Sequence, residues 1–123
     1  MNTASYTERK NYVKYDEEHY LLYLNEESAE ITSEESDETV DGYAYSGTEA
    51  DGGTMIEASD VTDDNRRAKF IAGLIGVEYD MDAQIAILAN GDDTDEHATE
   101  LEEFAAYRAS CKAAVDELIE REV

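Results

Sequence analysis

Hydrophobic residues recur at helical spacing in the second half of the chain and alternate with polar residues in the first half. Residues 62–76 have an apolar stripe at positions i, i+1, i+4 and i+5, which is typical of an amphipathic helix packed on a core. Thr62 is expected to cap this helix, and Gly76 to end it. The stripe consists of Phe70, Ile71, Leu74 and Ile75.

Two further helices are predicted after residue 79. Asp80 is a suitable N-cap for a short helix that Asn90 and Gly91 would end, and its expected core face consists of Met81, Ile85 and Leu88. The third helix should begin near Thr94 or Asp95. Its three-and-four spaced stripe is interrupted by Arg108 and consists of Leu101, Phe104, Cys111, Val115 and Leu118.

The first half predicts short strands separated by acidic or glycine-rich turns. The candidate strands are residues 11–15, 19–24, 29–32, 42–46 and 54–58. Residues 19–24 (HYLLYL) are apolar on both faces, which indicates a central strand. Residues 33–41 are expected to be an acidic loop, and residues 47–53 a turn that joins the last two strands as a hairpin. Residues 1–10 are polar and are interpreted as a flexible arm.

The order of these elements predicts the α+β class. We expect a small antiparallel β-meander of three to five strands in residues 11–59, followed by three helices in residues 60–123 that pack on one face of the sheet. A chain of 123 residues is expected to form one domain, here residues 11–123. A thin sheet needs such a cover, because an isolated meander buries too little apolar surface.

Charge narrows the classes of partner. The formal net charge is −23, with 32 acidic residues against nine lysines and arginines. Such a surface repels nucleic acid and anionic membranes and favours partners with basic surfaces. It is also typical of a merely solvated or salt-adapted surface. No stretch resembles a signal peptide or a membrane span, and the single cysteine excludes an intramolecular disulfide, so a cytoplasmic or virion-associated protein is expected.

The residues that could carry chemistry do not form a recognisable site. A calcium loop beginning at Asp92 would have Glu103 at its twelfth position, but it has His97 where glycine is required. His97 has no zinc-ligand spacing around it, and Cys111 lies on an apolar helical stripe with little positive charge nearby. Paired carboxylates are numerous, and no single pair stands out as an acid–base couple. We therefore expect no enzyme, no metal and no cofactor.

Binding is the remaining class of function. Tyrosines interleaved with acids could form a recognition surface, since tyrosine combines a large contact area with a hydrogen-bonding hydroxyl group; strand propensity and packing would explain the tyrosines equally. The candidate partner-binding residues are Tyr12, Tyr15, Tyr23, Tyr45, Glu26, Glu27, Glu34, Glu35, Asp37, Glu38 and Asp41.

Residues 65–120 resemble the C-terminal segment of small accessory proteins encoded near tail genes in phages and prophages. In those proteins a tyrosine–acid turn precedes a short helix and a helix of the form EFxxYRxxCKA. The matching residues are Tyr79, Asp80, Ile85, Ala86, Ile87, Leu88, Glu103, Phe104, Tyr107, Arg108, Cys111, Lys112 and Ala113. The resemblance implies a non-enzymatic protein of phage origin that assists a virion or tail component.

Two alternatives remain open. The acids could imitate nucleic-acid phosphates and so inhibit a host defence nuclease of the CRISPR or restriction type, which would require two rows of carboxylates at phosphate-like spacing. A second acidic array would then contribute Asp92, Asp93, Asp95, Glu96, Glu102 and Glu103. The other alternative is a bacterial domain with a housekeeping binding role.

Overall fold

The computed structural model describes residues 1–123 and contains six strands followed by three helices. The strands are β1 (Asn2–Tyr6), β2 (Tyr12–Lys14), β3 (His19–Leu22), β4 (Glu27–Thr32), β5 (Thr39–Gly47) and β6 (Thr54–Glu57). The helices are α1 (Arg66–Glu78), α2 (Met81–Asn90) and α3 (Asp95–Glu120). The α+β class predicted from the sequence is confirmed.

The strands form two antiparallel three-stranded sheets rather than one meander. One sheet has the order β1-β5-β4 and the other the order β2-β3-β6. The predicted hairpin between the fourth and fifth candidate strands is therefore wrong, because β6 pairs with β3 and not with β5. The connection crosses between the sheets through a tight turn, where Gly52 has φ +84° and a Cβ on Gly47 would lie 2.4 Å from the Gly53 carbonyl oxygen.

The predicted flexible arm is also wrong for most of its length. Residues Asn2 to Tyr6 pair with β5 in register from Asn2–Gly47 to Tyr6–Tyr43. The strand has mostly polar, exposed side chains and is held by backbone hydrogen bonds to a partner some forty residues away. Such a strand has no hydrophobic signature in the sequence.

The main core lies between the β2-β3-β6 sheet and the helices. β3 is the central strand of that sheet, as predicted for residues 19–24. The largest fully buried side chains of this cluster are Leu22, Ile56, Phe70, Cys111, Val115 and Leu118. α1 packs directly on β6, because a Cβ on Gly73 would lie only 2.7 Å from the Glu57 carbonyl oxygen.

Capping residues were predicted better than helix ends. Asp80 accepts a hydrogen bond from the Ala83 amide at 2.8 Å, and Thr94 accepts one from the His97 amide at 3.1 Å. Thr62 and Asn65 bond each other's amides in the turn before α1, and Asn65 takes the N-cap position, so α1 begins three residues later than predicted. Gly76 does not end the helix, which continues to Glu78.

The expected core face of α2 is wrong. Met81, Ile85 and Leu88 are 67%, 57% and 60% exposed, whereas Ile87 is the buried residue of this helix. α2 is apolar at most positions, so its periodicity does not distinguish one face from another. None of the three helices has the combination of length and hydropathy that a bilayer span requires.

Candidate functional site: the acidic hairpin and its base

Residues 26–41 form a β-hairpin, here called the acidic hairpin, that contains eight carboxylates and no lysine or arginine. The acids are Glu26, Glu27, Glu30, Glu34, Glu35, Asp37, Glu38 and Asp41. All except Glu26 are exposed, and none of those seven belongs to an ion pair. The predicted loop 33–41 is thus a strand-supported turn, with β5 already beginning at residue 39.

The outer part of the hairpin extends beyond the third strand of its sheet. β1 pairs only with residues 43–47 of β5, whereas β4 pairs with residues 39–44. The hairpin is therefore a two-stranded ribbon over most of its length. A two-stranded ribbon buries little apolar surface and contributes little stability of its own.

The tip is nevertheless well defined by backbone hydrogen bonds. The Ser33 amide donates to the Glu38 carbonyl at 2.9 Å, and the Asp37 amide donates to the Ser33 carbonyl at 3.0 Å. Asp37 has φ +54°, a left-handed conformation that aspartate tolerates better than most residues. The turn therefore presents Glu34, Glu35, Asp37 and Glu38 on a defined loop.

Strand register places like charges side by side in the ribbon. Glu30 lies directly opposite Asp41, and no cation compensates the pair. Opposed like charges on neighbouring strands are destabilising. Glu27, in contrast, lies opposite Ala44. Glu30 is the one hairpin acid absent from the predicted site. Its position opposite Asp41 depends on the register of β4 against β5, which the sequence alone does not show.

The base of the hairpin is an ion-pair network around Glu26. The Arg9 guanidinium donates to both Glu26 carboxylate oxygens, at 3.1 and 2.9 Å, and the Tyr45 hydroxyl donates to one of them at 2.9 Å. Burial alone would raise the pKa of Glu26, but the hydrogen bonds from Arg9 and Tyr45 and the charges of Arg121 and Arg9 outweigh it and lower that pKa. Glu26 was predicted to bind a partner; instead it holds the hairpin to the body.

Arg121 connects this network to the last helix. Its side chain is fully buried, and its Nη1 donates to the carbonyl oxygens of Lys10 and Tyr23 at 2.7 and 2.8 Å. Its Nε and Nη2 bond the Glu117 carboxylate at 3.0 and 2.5 Å. The sequence carries one signal for this role, since Arg121 follows Glu117 at the i, i+4 spacing that brings two side chains together on a helix.

The tyrosines do not form the predicted recognition surface. Tyr45 and Tyr23 are buried together in a second small core with Leu21, so the prediction that they contact a partner is wrong. Tyr12 packs on Phe70, with ring centroids 5.1 Å apart. Among the four candidates only Tyr15 is largely exposed, at 61%. Alternation along a strand does not show which face is covered by a second layer.

The remaining candidate positions serve the fold. α3 begins at Asp95, so a calcium loop starting at Asp92 would overlap this helix, and no group of three or more histidine, cysteine, aspartate or glutamate residues is arranged to hold a metal ion. His97 bonds Asp93, which raises the pKa of that imidazole. Cys111 is buried, and burial raises the pKa of its thiol above the ordinary value.

A shallow depression of about 550 Å³ lies on the hairpin itself, between Ser28–Glu30 and Asp41–Tyr43. Two of its six lining residues are hydrophobic. Small-molecule sites are mostly apolar and enclosed, so this lining is better suited to contact with another macromolecule.

Comparison with protein-family models, with curated proteins and with solved structures finds no match.

Proposed function

We propose that this chain is a non-enzymatic binding protein of phage or prophage origin that docks on the basic surface of a partner protein through the acidic hairpin. The observation that carries the proposal is the two-stranded extension of the hairpin, which has six exposed, unpaired carboxylates and no cation. The ribbon contributes little to the core and places like charges in opposition, so its sequence is not explained by folding stability.

Charge supports docking on a basic partner. The formal net charge of −23 accelerates encounter with cationic surfaces at low ionic strength. Most of the protein's own cations are already engaged, as shown by the ion pairs of Arg9, Lys14, Arg66, Arg67 and Arg121. No lysine or arginine of the protein competes with a partner's cations for the seven exposed carboxylates of the hairpin.

The resemblance of residues 65–120 to tail-region accessory proteins supports a virion component as that partner. In this role the helices are the scaffold that covers one sheet, and the hairpin of the other sheet provides the contact. The proposed location is then the host cytoplasm during assembly or the virion afterwards.

Nucleic-acid mimicry is the second candidate, favoured by the complete absence of cations from the hairpin. A mimic of duplex DNA must reproduce about one charge per 1.7 Å of axis along two rows. Side chains alternate between the faces of a strand, so Glu27 and Glu30 lie on opposite faces of β4. The ribbon itself therefore does not carry two continuous carboxylate rows, and we rank docking on a virion protein first.

A pull-down from phage-infected or prophage-induced cells tests the proposal. The tip variant Glu34→Gln/Glu35→Gln/Asp37→Asn/Glu38→Gln removes four charges without touching a core side chain. Its matched control, Glu100→Gln/Glu102→Gln/Glu103→Gln/Glu120→Gln, removes the same charge from exposed positions of α3. We expect wild type and the α3 control to recover the same tail or virion protein, and the tip variant to lose it.

Other outcomes are equally decisive. Recovery of a basic nuclease, displaced by duplex DNA and lost with the tip variant, would replace the accessory role by mimicry. Equal recovery of all partners by wild type and tip variant would contradict any role of the hairpin and leave a solvated surface as its explanation.

A further inference from the structure

α2 carries an apolar stripe that nothing in the protein covers. Met81, Ile85 and Leu88 follow i, i+4, i+7 spacing and fall within an arc of about 60° on the helix. All three are more than half exposed, while Ile87 on another side of the helix enters the core. This clustering differs from the scattered exposed apolar residues of an ordinary surface.

A groove of about 1000 Å³ continues the stripe. It lies between α1 and the edge formed by β6, and it shares Met81 with the stripe and contains Val77, which is 41% exposed. Along α1 its lining includes the small residues Ala72, Gly73 and Gly76. Stripe and groove together are called the α2 surface below.

The fold accounts for glycine at position 73 of the groove but not at position 76. Gly73 is required by its contact with the Glu57 carbonyl oxygen, 2.7 Å from where a Cβ would lie. Gly76 has no atom within 4 Å of a Cβ and lies inside a helix, where glycine is unfavourable. The fold does not require glycine at position 76. Glycine there does leave a flat site that the backbone of another molecule can approach closely.

The rim of the groove is acidic. Glu18, Glu49, Glu57 and Asp80 line it, and Lys69 is the one lysine or arginine among the lining residues. A second copy of this chain is a poor occupant, since it would bring another net charge of −23 against the same surface. The exposed apolar stripe of α2 beside this acidic groove is complementary to an apolar stripe flanked by cations.

We propose that the α2 surface binds an amphipathic helix of a partner protein, with leucine-like anchors on one face and lysine or arginine on its flanks. In helix-in-groove recognition the bound helix uses apolar anchors at i, i+3, i+4 and i+7, and Met81, Ile85 and Leu88 provide exposed apolar area along α2 for such anchors to contact. No residue of this surface belongs to the acidic hairpin, so the two proposed sites are separate.

The probe is a fluorescein-labelled model peptide of roughly 18 residues, with leucine on one helical face and lysine on the other. A peptide of the same composition, scrambled to remove the amphipathic face, is its control. Fluorescence anisotropy with the full-length protein should give a Kd near or below about 10 µM for the amphipathic peptide in about 0.15 M salt. The scrambled peptide should bind at least about tenfold more weakly.

Two sets of variants locate the site. Met81→Gln/Ile85→Gln/Leu88→Gln keeps helix propensity and removes the apolar stripe, and it should weaken peptide binding at least about tenfold. Val13→Gln/Val123→Gln removes exposed apolar side chains outside both proposed sites and should leave binding within about twofold. Circular dichroism should show both variants folded, since none of the five side chains is buried.

Four results would overturn the proposal. Equal binding of the scrambled peptide would show that charge alone attracts the probe. Unchanged binding by the α2 variant, or no binding of either peptide by wild type, would remove the site. A self-association in sedimentation velocity that the α2 variant abolishes would assign the surface to a second copy.

Discussion

Glu30 lies directly across the β4–β5 ladder from Asp41, in a ribbon with no cation. The two carboxylates repel each other at this pair of positions. Glu30→Gln should stabilise the protein by about 0.2–1 kcal/mol at low salt, because it removes repulsion between directly paired strands. The free energy of unfolding in urea, measured at about 20 mM and 0.5 M salt, should show a smaller gain at the higher salt.

Glu27→Gln is the matched control, since Glu27 is an exposed glutamate of the same strand and faces Ala44. An equal gain from both substitutions would show that general charge, rather than the Glu30–Asp41 pair, is responsible.

Arg121→Ala should destabilise the protein by about 3–5 kcal/mol, because it leaves the carbonyl oxygens of Lys10 and Tyr23 without their donor and the Glu117 carboxylate without its closest cation. Arg67→Ala removes an ion pair of half-exposed side chains and should cost at most about 1 kcal/mol. Chemical denaturation of the two variants measures the difference, and a cost below about 1 kcal/mol for Arg121→Ala would contradict its structural role.

Glu26→Gln should make stability less dependent on pH. The pKa of Glu26 is lower in the folded protein than its ordinary value, so the ionised carboxylate stabilises the folded state above that ordinary value. This contribution is lost as the pH falls through the folded pKa. Urea titrations should therefore show wild type more stable than Glu26→Gln at about pH 7, with the difference shrinking towards about pH 3. A difference that stays constant between these pH values would contradict the network around Glu26.

Phe104→Ala should cost about 3–5 kcal/mol, because Phe104 is 2% exposed and packs edge-on against Tyr79 with ring centroids 5.0 Å apart. Leu88→Ala on α2 should cost less than about 1 kcal/mol, since that side chain is exposed. Thermal unfolding of both variants is the measurement. Similar losses of stability in Phe104→Ala and Leu88→Ala would mean that the apolar stripe of α2 is buried in solution.

The sequence predicted those parts of the fold that depend on strong local patterns. Phe70 and Ile71 lie where a wide apolar stripe placed them, and Asp80 caps its helix through a side chain suited to that position. The burial of Tyr45 could not be predicted, because it depends on a second layer contributed by distant strands. Met81 was misassigned because an almost uniformly apolar helix has no single preferred face.

The candidate site was predicted in composition but not in geometry. Glu34 and Glu35 do lie at an exposed acidic tip, whereas the adjacent Glu26 is part of the framework. What separates them is the position of Arg9 and Arg121, which are respectively 17 and 95 residues away from Glu26 along the chain. Contacts between residues so far apart along the chain leave no pattern in the local sequence.

The most direct test of the account is the affinity of the recovered virion partner for wild type, for the four-residue tip variant and for the matched α3 variant, measured across a salt series. The account predicts that the tip variant loses at least about tenfold in affinity, that the α3 variant stays within about twofold, and that wild-type binding weakens steeply as salt rises towards 1 M. Equal losses for the two variants, or wild-type binding that persists unchanged at about 1 M salt, would contradict docking through the acidic hairpin.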